Sequence, residues 1–218
     1  MHPFAPILQP WRYHIWSKQQ RKSEGQNCLQ YAMWTVAASL SAQFRSLRES
    51  LYQETRRMLN ALDSQPQRTD PNGSIEQAQA WVLICVYEYM QLSPLQAWMS
   101  AGRCCRLVLG MRLYELDDPN NPVMVAREQE MSLIDWTGLE ERRRTFWMAY
   151  SLDRFISFHT GLPFTLNEQL VRHHTRKKKT QLTFPDCYTT TGSRGGIPDR
   201  PPGGHAVLAR GDVKGKHR

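Results

Sequence analysis

Residues 74–91 constrain this chain more than any other stretch. Their centre, Ala80-Trp-Val-Leu-Ile-Cys-Val-Tyr87, is apolar on every side of a helix, and a helix without a polar face is stable only where other elements surround it. The run starts behind Ser74-Ile-Glu-Gln77, a capping box. There the Ser hydroxyl accepts from an orphan amide and the Gln side chain returns to the cap, worth about 1 kcal/mol. Eight apolar residues fall far short of the ~20 that cross a bilayer. The stretch therefore predicts the central helix of an all-α, irregular multi-helix domain, with no membrane span.

Neighbouring segments supply the surrounding helices. One is predicted over 27–41, small and apolar, and a second over 42–62, where Leu47, Leu51, Met58, Leu59 and Leu62 form a stripe and Arg48, Glu54, Arg56 and Arg57 lie mostly off it. A fourth follows the central helix over 94–113, opened by a second capping box, Ser93-Pro-Leu-Gln96, with Pro94 at the first helical position. The fifth, over 138–159, follows a third box, Thr137-Gly-Leu-Glu140, and sets Glu140 against Arg143 and Arg144, and Glu141 against Arg144. Gly161 is placed to close it in a left-handed cap, with Pro163 beyond. Between 27 and 161 no segment alternates with period two, so no sheet is expected. Trp81, Leu83 or Ile84, Cys85, Trp147 and Tyr150 are the expected core.

Charge divides the chain. Residues 1–170 carry 17 Lys+Arg against 17 Asp+Glu, whereas 171–218 carry 11 against 3 together with seven Gly and four Pro. The organisation predicted is an irregular N-terminal segment (1–26), a helical domain (27–170) and a basic tail (171–218) expected to be disordered, because it has too little apolar surface to offset its ordering entropy. Within the tail, Arg172, Arg176, Lys177, Lys178 and Lys179 form a basic run suited to nuclear import or to phosphate contact. The first eleven residues hold three Pro and no Lys or Arg, unlike a secretory or transit signal.

No catalytic constellation emerges. Asp117-Asp118 precedes Pro119 and reads as a solvated turn, since magnesium-binding carboxylates need to converge on a cavity. His173-His174 has no companion ligand near it in sequence, and Arg210-Gly211-Asp212 is a three-letter coincidence. Trp81, Trp98, Trp136 and Trp147 are read as packing residues in preference to a pocket lining. Cys28, Cys85, Cys104, Cys105 and Cys187 stand 57, 19, 1 and 82 positions apart, a spacing that makes neither a disulfide framework nor a metal site. The chain is expected to be no enzyme and to hold no catalytic, cofactor-binding or metal-ligating residue of its own.

Two stretches carry a resemblance. Ser74-Ile-Glu-Gln-Ala-Gln-Ala-Trp-Val-Leu-Ile84, with Ala97-Trp-Met-Ser-Ala-Gly-Arg103 and Arg106-Leu107, is the supportive one. Glu141-Arg-Arg-Arg-Thr-Phe-Trp-Met-Ala-Tyr-Ser-Leu-Asp-Arg154, with Ser157, Gly161 and Pro163, is the specific one. Together they resemble the fungal-specific transcription factor domain, the middle homology region of fungal zinc-cluster regulators, over about 28–170.

The resemblance implies an all-α regulatory domain of a nuclear, usually homodimeric transcription regulator that binds DNA through a separate N-terminal cluster of six Cys on two zinc ions. Its motif falls here on Arg143, Arg144, Phe146, Trp147, Tyr150, Asp153, Arg154, Ser157, Gly161 and Pro163, read as structural residues. Trp147, Tyr150 and Arg154 share a helical face, so the Arg stem is expected along the rings. Asp153, one position away, is expected to brace a different neighbour.

Several further expectations follow from the departures. The chain lacks the six-Cys cluster, so zinc is expected only in such a missing cluster, and nucleic acid is expected to be met indirectly or non-specifically through the tail. Protein partners are expected for the body. The family's domain normally continues with further helices where this tail begins, which suggests a truncated member. The leading role is transcription regulation through protein contacts. Its alternatives are a truncated module that pairs with and damps a full-length regulator and, behind it, a small-molecule-binding or enzymatic helical bundle.

Overall fold

The computed structural model describes residues 7–64, 75–116 and 136–167. These form six α-helices and two short 3-10 turns: α1 (Pro10–Ser17), α2 (Glu24–Leu40), a turn at Arg45–Leu47, α3 (Arg48–Ser64), α4 (Ile75–Met90), α5 (Pro94–Gly110), a turn at Leu113–Glu115 and α6 (Trp136–Thr160). No strand occurs among the described residues. The all-α class follows, and α4 takes the central place its sequence demands, packing on α2, α3, α5 and α6. Trp81, Val82, Ile84 and Cys85 are fully buried and Leu83 nearly so. No described helix is long and apolar enough to cross a membrane.

Local signals explain where several boundaries depart from expectation. The N-terminal segment is not wholly irregular, since α1 begins at Pro10, which tolerates a first-turn position. Ile7, just before it, is buried in the main core. α2 starts at Glu24, three residues early, on a reciprocal capping box: the Gln26 amide donates to Ser23 Oγ and the Ser23 amide to Gln26 Oε1, both at 3.1 Å. Extended backbone at Ser41 ends it, and the next helix waits until Arg48.

The predicted boxes fare differently. Ser74 lies outside the described residues. Ser93 makes no side-chain cap, and its amide, which the box would offer to Gln96, closes the end of α4 by donating to Glu88 O at 3.1 Å. Gln96 instead donates to Tyr52 Oη at 2.7 Å. Thr137 lies inside α6, which begins at Trp136. α5 ends at Gly110, short of 113, with Arg112 in the left-handed region at φ 54°. At the far end of α6, Gly161 has φ 67° and the Leu162 amide reaches back to Ser157 O, the expected left-handed cap.

Candidate functional site

Past Gly161 the chain turns back along α6, and several family-motif residues hold it there, together with Trp98 of α5. The Asp153 carboxylate, buried, accepts the backbone amides of Thr165 and Leu166, each at 3.0 Å. Arg154 donates to Leu166 O and lies 4.1 Å from the Phe164 ring centroid and 4.8 Å from that of Tyr150. Pro163 O accepts from both Ser157 Oγ at 3.2 Å and Trp98 Nε1 at 3.1 Å. The strap 162–167 is thus tied to α6 and α5. Charge-assisted acceptance of two neighbouring amides gives the strongest tie.

This geometry corrects one expectation and refines two. Asp153 and Arg154 do not brace different neighbours: both grip the strap, because a returning segment lies over the end of α6 and meets two adjacent residues at once. Trp147 is not core, being 38% exposed, with its ring edge-on to Phe146 and Tyr150. Tyr150 is half-buried, while Phe146 takes the buried position. A 3.6-residue period turns Phe146, Ala149, Asp153 and Ile156 inward and leaves Trp147 at the margin. Arg143 and Arg144 both pair with Glu140 as predicted. Glu141 turns instead to α1, accepting the Gln9 amide at 2.7 Å and standing 3.5 Å from the Arg12 guanidinium.

A second constellation escapes sequence reading. Glu88, near the end of α4, is buried; its Oε1 accepts from Tyr52 Oη at 2.8 Å and lies 3.3 Å from Arg56 Nη1, which also donates to Ser100 Oγ. Its Oε2 and Trp81 Nε1 are the buried side-chain polar atoms without a hydrogen bond among the described residues. Arg56 and Arg103 place their guanidinium carbons 5.1 and 5.0 Å from the Trp81 ring centroid. Burial pushes the Glu88 carboxyl above its ordinary range, with Ser100, Tyr52 and Arg56 opposing, and raises Tyr52. Arg56, assigned by periodicity to the outer face of its helix, points inward to this acid. The signal available was a Glu placed straight after the apolar run Ala80–Tyr87, in the half of α4 that is otherwise without a charged side chain.

Other candidates are placed without converging. Cys28, Cys85, Cys104 and Cys105 are separate, buried free thiols, and desolvation pushes Cys28 up to about 12. No three His, Cys, Asp or Glu come together in a metal-binding group among the described residues. Trp81 packs in the core, Trp98 is half-buried under the strap, and Trp136 is exposed. Trp136 borders an open cleft of about 230 Å³ beside Leu8, Gln9, Glu140, Glu141 and Arg144. Asp117-Asp118, His173-His174, Arg210-Gly211-Asp212, Cys187 and the basic run Arg172, Arg176, Lys177, Lys178 and Lys179 lie outside the described residues.

Comparison with known proteins gives the arrangement a context. Residues 1–186 match the fungal specific transcription factor domain. The chain is 50% identical over 171 residues to a pigment biosynthesis transcriptional activator of Monascus ruber, covering 78% of this chain and 30% of that protein. It is 44% identical over 194 residues to a citrinin biosynthesis transcriptional activator of Monascus purpureus (88% and 31%). Against an azaphilone cluster-specific transcription factor of Aspergillus niger it is 39% identical over 178 residues (78% and 36%). The chain thus spans about a third of the length of the relatives it matches. No solved structure matches it.

Proposed function

Because the chain belongs to the fungal specific transcription factor domain family, we propose that it acts in the nucleus as the regulatory domain of a pathway-specific transcription regulator, working through protein contacts and not through catalysis. The observation that carries this reading is the helical body itself. Residues 1–170 balance 17 basic against 17 acidic side chains, so the body has no charge excess with which to displace counterions from phosphate. Of its motif residues, Asp153, Arg154, Ser157 and Pro163 are spent on holding the strap to α5 and α6. Relatives named as activators of pigment and of citrinin biosynthesis support a set of biosynthetic genes as the target. The basic residues Arg172, Arg176, Lys177, Lys178 and Lys179 are assigned to nuclear import or to non-specific phosphate contact.

The test fuses the full chain to an unrelated DNA-binding domain and reads a reporter in a fungal nucleus. Altered transcription is expected, and Asp153→Ala, which frees the strap, should reduce it several-fold at equal protein level. A fusion that is folded, nuclear and inert would defeat the reading.

A further inference from the structure

The charge balance of residues 1–170 conceals a segregation along the chain. Residues 1–23 hold Arg12, Lys18, Arg21 and Lys22 and no Asp or Glu, whereas residues 24–170 hold 13 Lys+Arg against 17 Asp+Glu. The first acid, Glu24, stands in the first turn of α2, where the helix dipole favours it. The chain is thus cationic over its first residues and anionic over the rest of the body.

α1 lies in this cationic part and carries large apolar side chains on two sides. The inner side is anchored. Tyr13 Oη accepts from Gln30 Nε2 at 3.3 Å, the Trp16 ring stands edge-on to Tyr13 at 4.9 Å and packs against the main core, and Arg12 faces Glu141. On the other side Trp11 is 53% exposed and Ile15 56%. Residues 11, 15 and 18 recur at intervals of four and three, which puts them on one helical face, and Lys18 keeps helical backbone as the C-cap. Arg21 follows one turn of chain later. Lys18 and Arg21 are exposed and make no ion pair among the described residues. A helix with apolar side chains on opposite sides needs cover on both, and the core covers one.

Charge selects the cover. Two apolar side chains followed by cations, with no acid among them, match a segment of the converse pattern: acidic residues about one turn from a large apolar anchor. The same face of a second copy sets cation against cation and is repelled. A short anion also fits better than a long one. α1 spans about 12 Å, while duplex DNA carries one charge per about 1.7 Å of its axis. Nucleic acid running past the helix therefore meets the anionic remainder of the body, and Ile15 offers a phosphate nothing to bind. We infer that Trp11, Ile15, Lys18 and Arg21 form the docking face for a short acidic segment of a partner protein that carries a large apolar side chain. This inference rests on the reading of the chain as a regulator that works through protein contacts.

The probe is a fluorescein-labelled peptide of about twelve residues composed of Glu, Asp, Leu and Phe, titrated with the full chain over about 1 to 100 µM and read by anisotropy. Saturable binding is expected, and it should weaken about tenfold or more when the peptide's acids become Gln and Asn, or when its Leu and Phe become Ala. In the protein, Trp11→Ala, and separately Lys18→Gln with Arg21→Gln, should each weaken it by a similar factor with the helical circular dichroism unchanged. Trp11→Ala is the sharper variant: it alters no charge, so a peptide held by the basic residues of 171–218 is indifferent to it. Leu95→Ala, an exposed apolar position on α5, should leave binding intact. Absence of binding, as when an acidic stretch of the same chain lies on the face, would overturn the inference, as would binding indifferent to both α1 variants. DNA bound more tightly than the peptide and released by the same variants would overturn it by assigning the face to nucleic acid. Any of these results, with the reporter fusion still altering transcription, refutes this face and leaves the regulatory role standing; an inert fusion with peptide binding intact does the reverse.

Discussion

Glu88 shows how much a single buried acid can set. Its Oε1 is shared by Tyr52 and Arg56 while Oε2 has no partner, so removing the side chain leaves a half-buried guanidinium and a buried phenol without their acceptor. Glu88→Ala should cost about 3 kcal/mol in urea unfolding. Glu88→Gln keeps an acceptor and removes the titration. Because burial raises the folded-state carboxyl above 4.5, the folded chain binds its proton more tightly than the unfolded one. The resulting stabilisation is full below the ordinary Glu range and is lost as pH rises through the raised value. The stability of the native chain relative to Glu88→Gln should therefore fall as pH climbs from about 4.5, and a difference that grows over that interval would contradict the assigned burial. Sequence could mark Glu88 as anomalous within α4. It could not show that Arg56 turns inward to meet it, since the periodicity of α3 put that residue on the polar side.

At the scale of elements, helices were legible and their ends were less so. The apolar run of α4, the Glu140 pairs with Arg143 and Arg144 and the Gly161 cap can each be read within one or two turns of sequence, because the interactions concerned are local. The boxes at Ser93 and Thr137 go unused for different reasons: Gln96 bonds Tyr52 and the Ser93 amide closes α4, while α6 begins at Trp136 and takes Thr137 into its first turn. The strap was hidden for a different reason. Its ties join Asp153 to Thr165 and Leu166, and Trp98 to Pro163 across 65 positions, contacts that no helical period encodes. Reading Asp153 and Arg154 as facing apart was right for an isolated helix and failed once a returning segment lay across both. Asp153→Ala should remove two charge-assisted bonds at a cost of about 2 to 3 kcal/mol. Hydrogen exchange should report it selectively, the Thr165 and Leu166 amides losing protection while mid-α4 amides retain theirs until global unfolding. Equal loss in α4 would mean that the strap is integral to the core.

Across the whole molecule the division of charge decides what each part can touch. A body with balanced charge has no excess with which to displace counterions from phosphate, whereas all of the formal +8 resides in residues 171–218. Affinity for DNA that rests on that charge excess is expected to be sequence-indifferent and to fall with salt, because its source is counterion release. Each phosphate contact contributes about 0.9 to the slope of log affinity against log salt. Replacing Arg172, Arg176, Lys177, Lys178 and Lys179 together by Gln in the full chain should then lower that slope by as much as about 4 to 5 if all five meet phosphates. The body should be untouched, so helical circular dichroism ought to match that of the native chain. The informative comparison sets a promoter fragment against scrambled DNA of equal length, titrated at several salt concentrations. Discrimination between the two that survives the five substitutions would place a DNA reader within residues 1–170, against the electrostatic argument. Equal binding to both, with a slope reduced by the substitutions, would leave target choice to a part of the regulator other than this body.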